Sequence, residues 1–526
     1  MKHAENAPTA ARINQNNSFL GFEIDRAAPR VLAALVIYAA VRSLVAAAAK
    51  PFWYDEMLTW ILAQQPSVHA IWNALERAAD SQGPAFYVIE RAMSAMIPNQ
   101  EIALRVPSIF GYCCITFCIF VFVRRTAGSA CALICAAVPL TTVLFHVYAI
   151  EARAYSLFVA CDAIALVCYQ RASSWKWSVL MGFCLALAQS LHYYAVFALV
   201  PIGLAEAARY LRTREFRIGV WLALVCGAVP LAVFWPLLWR LREVYGANHG
   251  AQMSLFEIAP IYGAYFEIAG RWGIAIIAAL ALGVFSAAAP FATTVQTQHE
   301  RESAFDERVL TLALLGLPFV GYVATVIAHG EMLPRYMLPT VLGVPLALGY
   351  IVSRLGRRNV AMLVTLLLVA VCVREGLFWF SSRARLAVDK SGANLIENLA
   401  KAAGHPDLPV VISDGLQFLP LAHYAEPEWR ERFVCLVDPA QSKAYLGRDG
   451  LDTELIIMRS LSPIHVYDFP TFAVQYPTFL LYSEFSPDDP FDWWPARFVH
   501  EGKSVQLVAT DRDRRVYLVK LNEKTE

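Results

Sequence analysis

The chain has 526 residues, of which 58% are hydrophobic and only 17% are charged. This balance is too apolar for an ordinary soluble enzyme of this length, so the composition indicates a polytopic membrane protein. The formal net charge of +1 excludes a general electrostatic attraction to nucleic acid, and any anion must be bound by local basic residues. The cysteines predict no disulfide framework and no metal site, because nearly all of them lie inside apolar runs.

The first 30 residues form a polar segment that carries Lys2, Arg12, Arg26 and Arg30. This segment lacks the short apolar core and the small-residue cleavage site of a signal peptide. We therefore predict a cytoplasmic tail over residues 1–30, and we expect the apolar run that follows it to be retained as a membrane anchor.

Residues 31–380 are built from long apolar runs. A helix needs about 20 mostly apolar residues to cross the hydrocarbon core of a bilayer, and runs near this length recur throughout the region. The sequence thus predicts an all-α polytopic membrane bundle of about eleven transmembrane helices, which we treat as one domain. The predicted spans are 31–49, 103–123, 127–147, 156–170, 177–189, 195–210, 218–238, 272–291, 309–327, 337–353 and 360–380.

The Lys and Arg content of the short loops predicts the orientation of the bundle. Short loops rich in these residues stay in the cytoplasm, and the basic tail and five basic loops fall on one side if the spans alternate. The opposite face then receives the polar segments that contain Asp55, Glu151, His192 and Arg335. We predict a multi-pass protein of a cell inner membrane, with these segments and all residues after 380 on the extracytoplasmic side.

The first outer loop, residues 50–101, has a pattern of its own. Its apolar blocks 58–62, 71–75 and 86–93 have helical spacing and are separated by polar and Pro/Gly-containing stretches. The loop is predicted to form two or three amphipathic helices that lie in the membrane interface with their apolar faces toward lipid.

Residues 381–526 have the composition of a soluble domain. The pattern predicts helices over 393–403 and 416–424, strands over 409–413, 433–437 and 479–482, and a final hairpin from 505–509 and 516–521. We predict a small extracytoplasmic α/β domain. It contains no glycine-rich phosphate loop, so no nucleotide is assigned to it.

Asp55 and Glu56 are adjacent carboxylates that follow the first span and the aromatic residues Trp53 and Tyr54. One acid at the interface is often only hydrated. Two of them at the mouth of a bundle predict a general base or a cation ligand, because polar groups near the membrane are costly and tend to be retained for a purpose.

Glu151, Arg153 and Tyr155 lie together between the third and fourth predicted spans. A guanidinium suits the oxygens of a phosphate group, which makes Arg153 a candidate phosphate ligand. An ion pair between Glu151 and Arg153 that only caps a helix explains the same residues, and the sequence leaves both interpretations open.

Three further positions on the outer face carry polar groups. Arg105 opens the second span and Arg335 follows Pro334, and each is either an anion ligand or an interfacial anchor. His192 stands with Tyr193 in a break between two apolar runs, where a histidine is either an interfacial hydrogen-bonding residue or a participant in the chemistry.

In chain order these motifs resemble those of the GT-C glycosyltransferases. The resemblance covers residues 31–380 and is to the bacterial branch that contains the aminoarabinose transferase of lipid A and the rhizobial lipopolysaccharide sugar transferases, and more distantly to the protein O-mannosyltransferases. Many members have a His-Pro-Pro segment in the first loop where this chain has Gln82-Gly83-Pro84, a departure at the lining of the acceptor entrance. The motifs are Tyr54-Asp55-Glu56, Arg105 to Gly111, Glu151 to Tyr155, His192-Tyr193-Tyr194 and Pro334 to Pro339.

The resemblance implies an inverting hexosyl- or pentosyltransferase. The donor would be a polyprenyl-phosphate-linked sugar, and the acceptor a lipid A or lipopolysaccharide, another glycan or a protein on the outer face. Matched residue by residue, Asp55 takes the position of the catalytic base, Glu56 that of its acidic neighbour and Glu151 that of the second acidic residue, with Arg153 and Tyr155 following it in the motif.

From the residues themselves, the developing phosphate charge would be stabilised by basic side chains. No soluble nucleotide is required, and a divalent cation held by Asp55 and Glu151 stays open as a cofactor. The predicted substrate-binding residues are Arg153, Tyr155, Arg335, Tyr336, Arg105, Lys50, His192 and Tyr193.

A flippase or secondary transporter for a lipid-linked glycan is the rival interpretation. Transporters tend to carry ionisable groups near mid-membrane in broken helices and often contain internal repeats. In this sequence the interiors of the spans hold few charges, no repeat is evident, and the polar motifs cluster at one face. We therefore favour the enzyme. A purely structural membrane subunit does not explain the long first loop.

Overall fold

The computed structural model describes residues 8–246, 254–286, 298–328, 332–355, 357–386, 392–484 and 491–524. Helices dominate the chain up to residue 386, and a small sheet flanked by helices follows. Both predicted parts of the fold are present, although the predicted boundary at residue 380 falls inside a long helix.

The helices of the first part are connected by short turns and 3-10 segments. They are α1 (Pro8–Ala49), α2 (Tyr54–Ala63), α3 (Val68–Leu75), α4 (Pro84–Met96), α5 (Gln100–Ala103), α6 (Val106–Ala137), α7 (Val143–Ala149), α8 (Tyr155–Tyr169), α9 (Trp175–Leu191), α10 (Leu199–Thr213), α11 (Ile218–Val233), α12 (Trp235–Tyr245), α13 (Ile258–Phe266), α14 (Gly270–Ser286), α15 (Gln298–Leu315), α16 (Leu317–Ala328), α17 (Thr340–Val352) and α18 (Arg357–Leu386).

Every predicted span coincides largely with one or more of these helices. By length and composition, three helical segments of the described residues can each cross a membrane, and the number rises to six if each of three bent pairs is one span. The bent pairs are α11 with α12, α13 with α14, and α15 with α16. The structure therefore supports a multi-pass membrane protein, while the count of eleven spans stays a prediction.

The predicted reversal between the second and third spans lies at Gly128, which interrupts α6 with a φ of +80° that glycine adopts readily. Arg105, before the break, contacts the C-terminal end of α1 at Ala47, and Ser129, just after it, bonds Asp25, which lies 22 positions earlier in the same helix. His146 again contacts the C-terminal half of α1, at Arg42. The chain therefore runs in one direction along α1 before Gly128 and in the opposite direction after it.

The first outer loop forms the expected helices, α2, α3 and α4, but they do not turn their apolar faces to lipid as predicted. Leu58, Ile61, Ile71 and Phe86 are each at most 2% exposed because they pack inside the protein. Helix α2 lies between α4 and the C-terminal domain. The apolar faces of these helices thus pack against other parts of the same chain.

The C-terminal domain contains a mixed six-stranded sheet in the order β3-β2-β1-β4-β6-β5. The first four strands are parallel, as expected for strands joined through helices, and β6 pairs antiparallel with both β4 and β5. The predicted elements are confirmed, whereas β3 and several short helices were not predicted. The strands are β1 (Val410–Ile412), β2 (Phe433–Val437), β3 (Val466–Asp468), β4 (Thr478–Glu484), β5 (Lys503–Asp511) and β6 (Arg514–Lys524). The helices are α19 (Ala393–Ala402), α20 (Gly415–Tyr424), α21 (Pro427–Arg432), α22 (Pro439–Leu446), α23 (Gly450–Arg459), α24 (Phe469–Gln475) and α25 (Trp494–His500).

Candidate active site

The acidic pair lies in the first turn of α2. The chain leaves α1 at Ala49, passes Trp53 in an extended conformation, and begins α2 at Tyr54. Carboxylates are favourable in the first turn of a helix because its amide groups present partial positive charge there. Local structure alone therefore accepts both Asp55 and Glu56, and their surroundings must distinguish them.

Glu56 is a structural residue, because its carboxylate is saturated by protein donors. Its oxygens accept two hydrogen bonds from the Arg105 guanidinium at 2.7 Å each and one from the Ala152 amide at 2.8 Å. Burial opposes ionisation of Glu56, but the charge and hydrogen bonds of Arg105, with Lys50 nearby, outweigh it and hold the pKa of Glu56 below the ordinary range. No oxygen of Glu56 is directed at a substrate.

Arg105 is equally committed, so the predicted role of this residue as a substrate ligand is not supported. Its side chain is fully buried, and besides Glu56 it donates to the backbone carbonyls of Ala47, Lys50 and Pro51 at 2.6 to 3.0 Å. These bonds tie the end of α1 and the following turn to the beginning of α6. Arg105 is a buried clamp.

Asp55 differs from its neighbour in every respect. Its side chain is 18% exposed, and neither carboxylate oxygen accepts a hydrogen bond from the described residues. Burial raises the pKa of Asp55 above the ordinary aspartate range, while the charges of Arg153 and Arg335 limit the rise. A partly exposed carboxylate with unused lone pairs and a raised pKa is suited to accept a proton.

Arg335 is the cation that faces Asp55. Its guanidinium lies 3.9 Å from the Asp55 carboxylate, its side chain is 32% exposed, and its buried Nε has no hydrogen-bond partner among the described residues. The residue lies on a 3-10 turn, Pro334–Met337, which is fixed by a 2.9 Å bond from the buried Tyr265 hydroxyl to the Met337 carbonyl. The turn is held in place while the guanidinium itself is left available.

Lys50 and Glu151 form a second loosely paired couple beside the first. The Lys50 ammonium lies 3.5 Å from Glu151 and 3.6 Å from Glu56, and its side chain is 30% exposed. Burial raises the pKa of Glu151 to about 7 despite the opposing charge of Lys50. The hold of Glu151 on Lys50 therefore weakens as the pH falls through this value.

Arg153, a predicted phosphate ligand, is paired within the protein. Its guanidinium forms a buried two-pronged pair with Asp80, at 2.5 and 3.0 Å, and also donates to the Asp55 carbonyl at 3.1 Å. Sequence reasoning missed Asp80. No local signal marked it, because Asp80 lies in a polar stretch between Arg77 and Gln82 where an exposed acid is ordinary. Arg153 therefore positions the backbone of Asp55.

Aromatic side chains of the predicted motifs form the wall next to these charges. Tyr155 packs on the ring of His192 at a centroid distance of 5.2 Å, and Tyr336 stacks on Tyr194 at 4.0 Å. Tyr193 and His192 are both buried. Burial and the charge of Arg153 lower the pKa of His192 to about 3, so its imidazole is neutral and does not act as a cationic ligand at physiological pH.

The Gln82-Gly83 segment, where the chain departs from the related motif, forms hydrogen bonds with the backbone next to Tyr155 and His192. Gln82 accepts a hydrogen bond from the Ala154 amide at 2.6 Å, and the Gly83 amide donates to the Leu191 carbonyl at 2.9 Å. A Cβ at position 83 would collide with the carbonyl oxygen of Ser190. A glycine is therefore required for the first loop to approach the end of α9.

We expect Gly83→Ala to destabilise the protein, because the added methyl meets backbone that cannot rotate away. Overpacking of this kind costs about 1–3 kcal/mol. The measurement is the thermal unfolding midpoint of the purified protein in detergent. Gly203→Ala is the matched control, since the nearest atom to its new Cβ would be 4.0 Å away. Equal midpoints for the two variants would contradict the proposed close contact.

The residues do not form an evident metal site. Among the described residues, no group of three or more His, Cys, Asp or Glu side chains is placed to hold an ion. Asp55 and Glu151, the predicted ligands, are each already next to a cationic side chain. A cation bound by Asp55 and Glu151 would have to displace Arg335 and Lys50.

The site thus brings together four weakly paired charges, Asp55, Glu151, Lys50 and Arg335, whose side chains make no hydrogen bond within the described residues. Bundle, first-loop helices and C-terminal domain together define the GT-C fold. ArnT from Cupriavidus metallidurans, solved with undecaprenyl phosphate, matches with a TM-score of 0.56 at 14% identity, over 92% of this chain and 97% of that one. Its apo structure matches with a TM-score of 0.57 over the same shares.

The oligosaccharyltransferase of Archaeoglobus fulgidus, tethered to an acceptor peptide, is a more distant match. Its TM-score is 0.46 at 10% identity, over 94% of this chain and 74% of that one. No protein-family model and no curated protein sequence matches the chain. The two ArnT structures establish the fold, and the residues of the site must carry the function.

Proposed function

We propose that this protein is an integral-membrane glycosyltransferase that moves a sugar from a polyprenyl-phosphate donor to an acceptor hydroxyl at the extracytoplasmic face. The acceptor classes we consider are lipid A or lipopolysaccharide, another glycan and a protein. The fold is that of ArnT, whose solved complex contains undecaprenyl phosphate, and this supports a lipid-phosphate donor here.

One observation carries the proposal, namely the contrast between two adjacent carboxylates. Glu56 is fully buried and accepts hydrogen bonds from Arg105 and Ala152, whereas Asp55 is partly exposed, accepts none and faces Arg335. A buried charge without hydrogen bonds is costly, and a substrate that supplies them compensates for this cost. The site therefore offers one base and one cation that are completed only by bound substrate.

In the reaction, Asp55 accepts the proton of the acceptor hydroxyl. The acceptor oxygen forms a bond to the anomeric carbon, the bond from that carbon to the phosphate oxygen breaks, and the electron pair leaves with the polyprenyl phosphate. A single unshared carboxylate acting as a base favours direct displacement, and hence inversion at the anomeric carbon.

The leaving phosphate is stabilised by Arg335 and Lys50. Arg335 is only 3.9 Å from Asp55 in the resting site, so the arriving phosphate draws the guanidinium away and leaves Asp55 free to act as a base. Lys50 is shared between Glu151 and Glu56 at 3.5 and 3.6 Å, distances too long for strong hydrogen bonds, and it can turn to the same phosphate. Glu151 keeps Lys50 at the site between turnovers.

Reconstitution tests the proposal against the transport alternative. The purified protein is placed in vesicles with a polyprenyl-phosphate sugar and candidate acceptors, and products are analysed by mass spectrometry. A glycosylated acceptor supports the enzyme, whereas movement of unchanged donor across the bilayer supports a carrier. Comparison of lipopolysaccharide and envelope glycans from a deletion strain and its parent identifies the sugar and acceptor to use.

Arg335→Ala should lower transfer more than Arg335→Lys does, because a lysine retains the charge but not the fork of donors. Loss of one group that stabilises developing charge costs roughly 10²- to 10³-fold in turnover. Initial rates of product formation are the measurement. Arg271→Ala is the control, since Arg271 is an exposed arginine that contacts the ring of Trp272. Wild-type turnover in Arg335→Ala would show that this residue does not contact the leaving group.

A further inference from the structure

The C-terminal domain reaches the acidic pair directly. Helix α23 of that domain carries Glu454, and its carboxylate accepts a 2.8 Å hydrogen bond from the hydroxyl of Tyr54. Tyr54 is 3% exposed and is the first residue of α2, immediately before Asp55. The contact joins positions 400 residues apart in the sequence. Because Tyr54 is next to Asp55 in the sequence, this hydrogen bond connects the C-terminal domain to the residue adjacent to the proposed base.

Other contacts between the domain and the loop lie on both sides of Asp55. The Tyr424 hydroxyl accepts a 2.8 Å bond from the Phe52 amide and donates to Glu101 at 3.3 Å. One turn into α2, the ring of Trp60 packs on His423 with centroids 4.8 Å apart. The beginning of α2 is thus held from the C-terminal domain by backbone, hydroxyl and ring contacts.

The position of Glu454 suits a residue that orients rather than reacts. Burial, with Asp80 nearby, raises the pKa of Glu454 to about 8, so a neutral carboxyl group faces Tyr54 at neutral pH. A neutral partner adds no negative charge to a region that already contains Asp55 and Asp80, while it still fixes the Tyr54 hydroxyl. Removal of either partner would leave a polar atom unpaired inside the domain contact.

We propose that Glu454 is a positioning residue for Asp55 and acts through Tyr54, so that the C-terminal domain is an integral part of the active site. This inference rests on the proposed function for the role of Asp55. The geometric reason is that the Asp55 carboxylate accepts no hydrogen bond from the described residues, so its position depends on the backbone of α2. The domain contacts at Tyr54 and Phe52, together with the Arg153 bond to the Asp55 carbonyl, define that backbone.

The test is a kinetic comparison of Tyr54→Phe, Glu454→Ala and Glu454→Gln in the full-length protein. We expect Tyr54→Phe and Glu454→Ala to lower kcat roughly 10- to 100-fold with little change in donor KM, because a small misplacement of a reacting group has effects of this size. Glu454→Gln retains a neutral acceptor for the Tyr54 hydroxyl, so its kcat should stay close to that of the wild type. The thermal unfolding midpoint of each variant distinguishes a loss of folding from this loss of kcat.

The matched control is Tyr350→Phe, which removes another buried tyrosine–glutamate hydrogen bond, to Glu307 at 3.3 Å, and this bond joins α17 to α15 rather than to α2. Its kcat should equal that of the wild type. A second measurement is amide hydrogen exchange of α2, which should become faster in Glu454→Ala and not in Tyr350→Phe.

The outcomes separate this inference from the proposed function. Wild-type kcat in Tyr54→Phe, alongside an inactive Asp55→Asn, overturns the positioning role alone. Full activity in Asp55→Asn overturns the proposed function, and unchanged exchange of α2 in Glu454→Ala then also overturns the structural basis of the positioning role.

Discussion

Asp55→Asn is expected to abolish measurable sugar transfer while leaving the protein folded. The amide has nearly the shape of the carboxylate but cannot accept a proton, and a general base contributes roughly 10²- to 10⁴-fold to the rate. The Asp55 carboxylate accepts no hydrogen bond from the described residues, so the substitution removes no stabilising bond. We therefore expect the initial rate of product formation to be lost while the thermal unfolding midpoint stays at the wild-type value.

The same residue predicts the acidic limb of the pH profile. Burial raises the pKa of Asp55, so the base becomes protonated, and activity falls, at a higher pH than for an ordinary aspartate. The kcat/KM of the wild type should decline as the pH falls through this raised value. The control for the rate measurement is Asp468→Asn, since Asp468 is half-exposed and pairs with Arg459 on the C-terminal domain. Undiminished transfer by Asp55→Asn would exclude the base assignment.

Glu56→Ala should have the opposite signature, with loss of the folded protein rather than of the chemistry alone. It leaves the fully buried Arg105 without its carboxylate partner, and removal of one member of a buried ion pair costs about 3–5 kcal/mol. The yield of monodisperse protein and the unfolding midpoint report this effect. The unfolding midpoint of Glu56→Gln should lie between those of the wild type and Glu56→Ala, because the amide can still accept hydrogen bonds from Arg105 and Ala152.

The pair of Arg240 with Glu243 provides the control for this prediction. It is a carboxylate–guanidinium contact of 3.1 Å with both side chains about half-exposed. Exposed pairs contribute little because water and salt screen them, so Glu243→Ala should leave the unfolding midpoint nearly unchanged. A Glu56→Ala protein as stable as the wild type would show that Glu56 is not the structural member of the acidic pair.

Much of the architecture could be predicted because it follows from local pattern. A span must remain apolar over its length and a half-buried strand must alternate, so the helices of the bundle and strands such as β2 could be located to within a few residues. The turn near Gly128 could be predicted for the same reason, since Arg124 and Arg125 mark a membrane boundary. Boundaries of this kind depend only on residues that are adjacent in the sequence.

The identity of partners could not be predicted in this way. Arg105 and Arg153 are both arginines at the outer ends of helices, like Arg335, and nothing local separates them. Arg153 pairs with Asp80, which is 73 positions away in the sequence. Arg105 pairs with Glu56, which is 49 positions away. Arg335 differs because no acceptor among the described residues lies within hydrogen-bonding distance of its guanidinium.

The apolar faces of the first-loop helices show the same division. The sequence determined that α2, α3 and α4 are helices with one apolar side, because the period of the pattern requires it. It could not determine whether lipid or protein covers that side, since both are apolar surroundings. The C-terminal domain decides this by packing on α2 and contributing Glu454 and Tyr424.

The sequence by itself thus determined a membrane bundle with an acidic pair, Asp55-Glu56, directly after its first apolar run. Only the tertiary structure decided which member of the pair accepts hydrogen bonds from the protein and which does not. The physical reason is hydrogen bonding between distant segments, because donors from α6 and from the turn before α8 saturate Glu56 and leave Asp55 open beside Arg335.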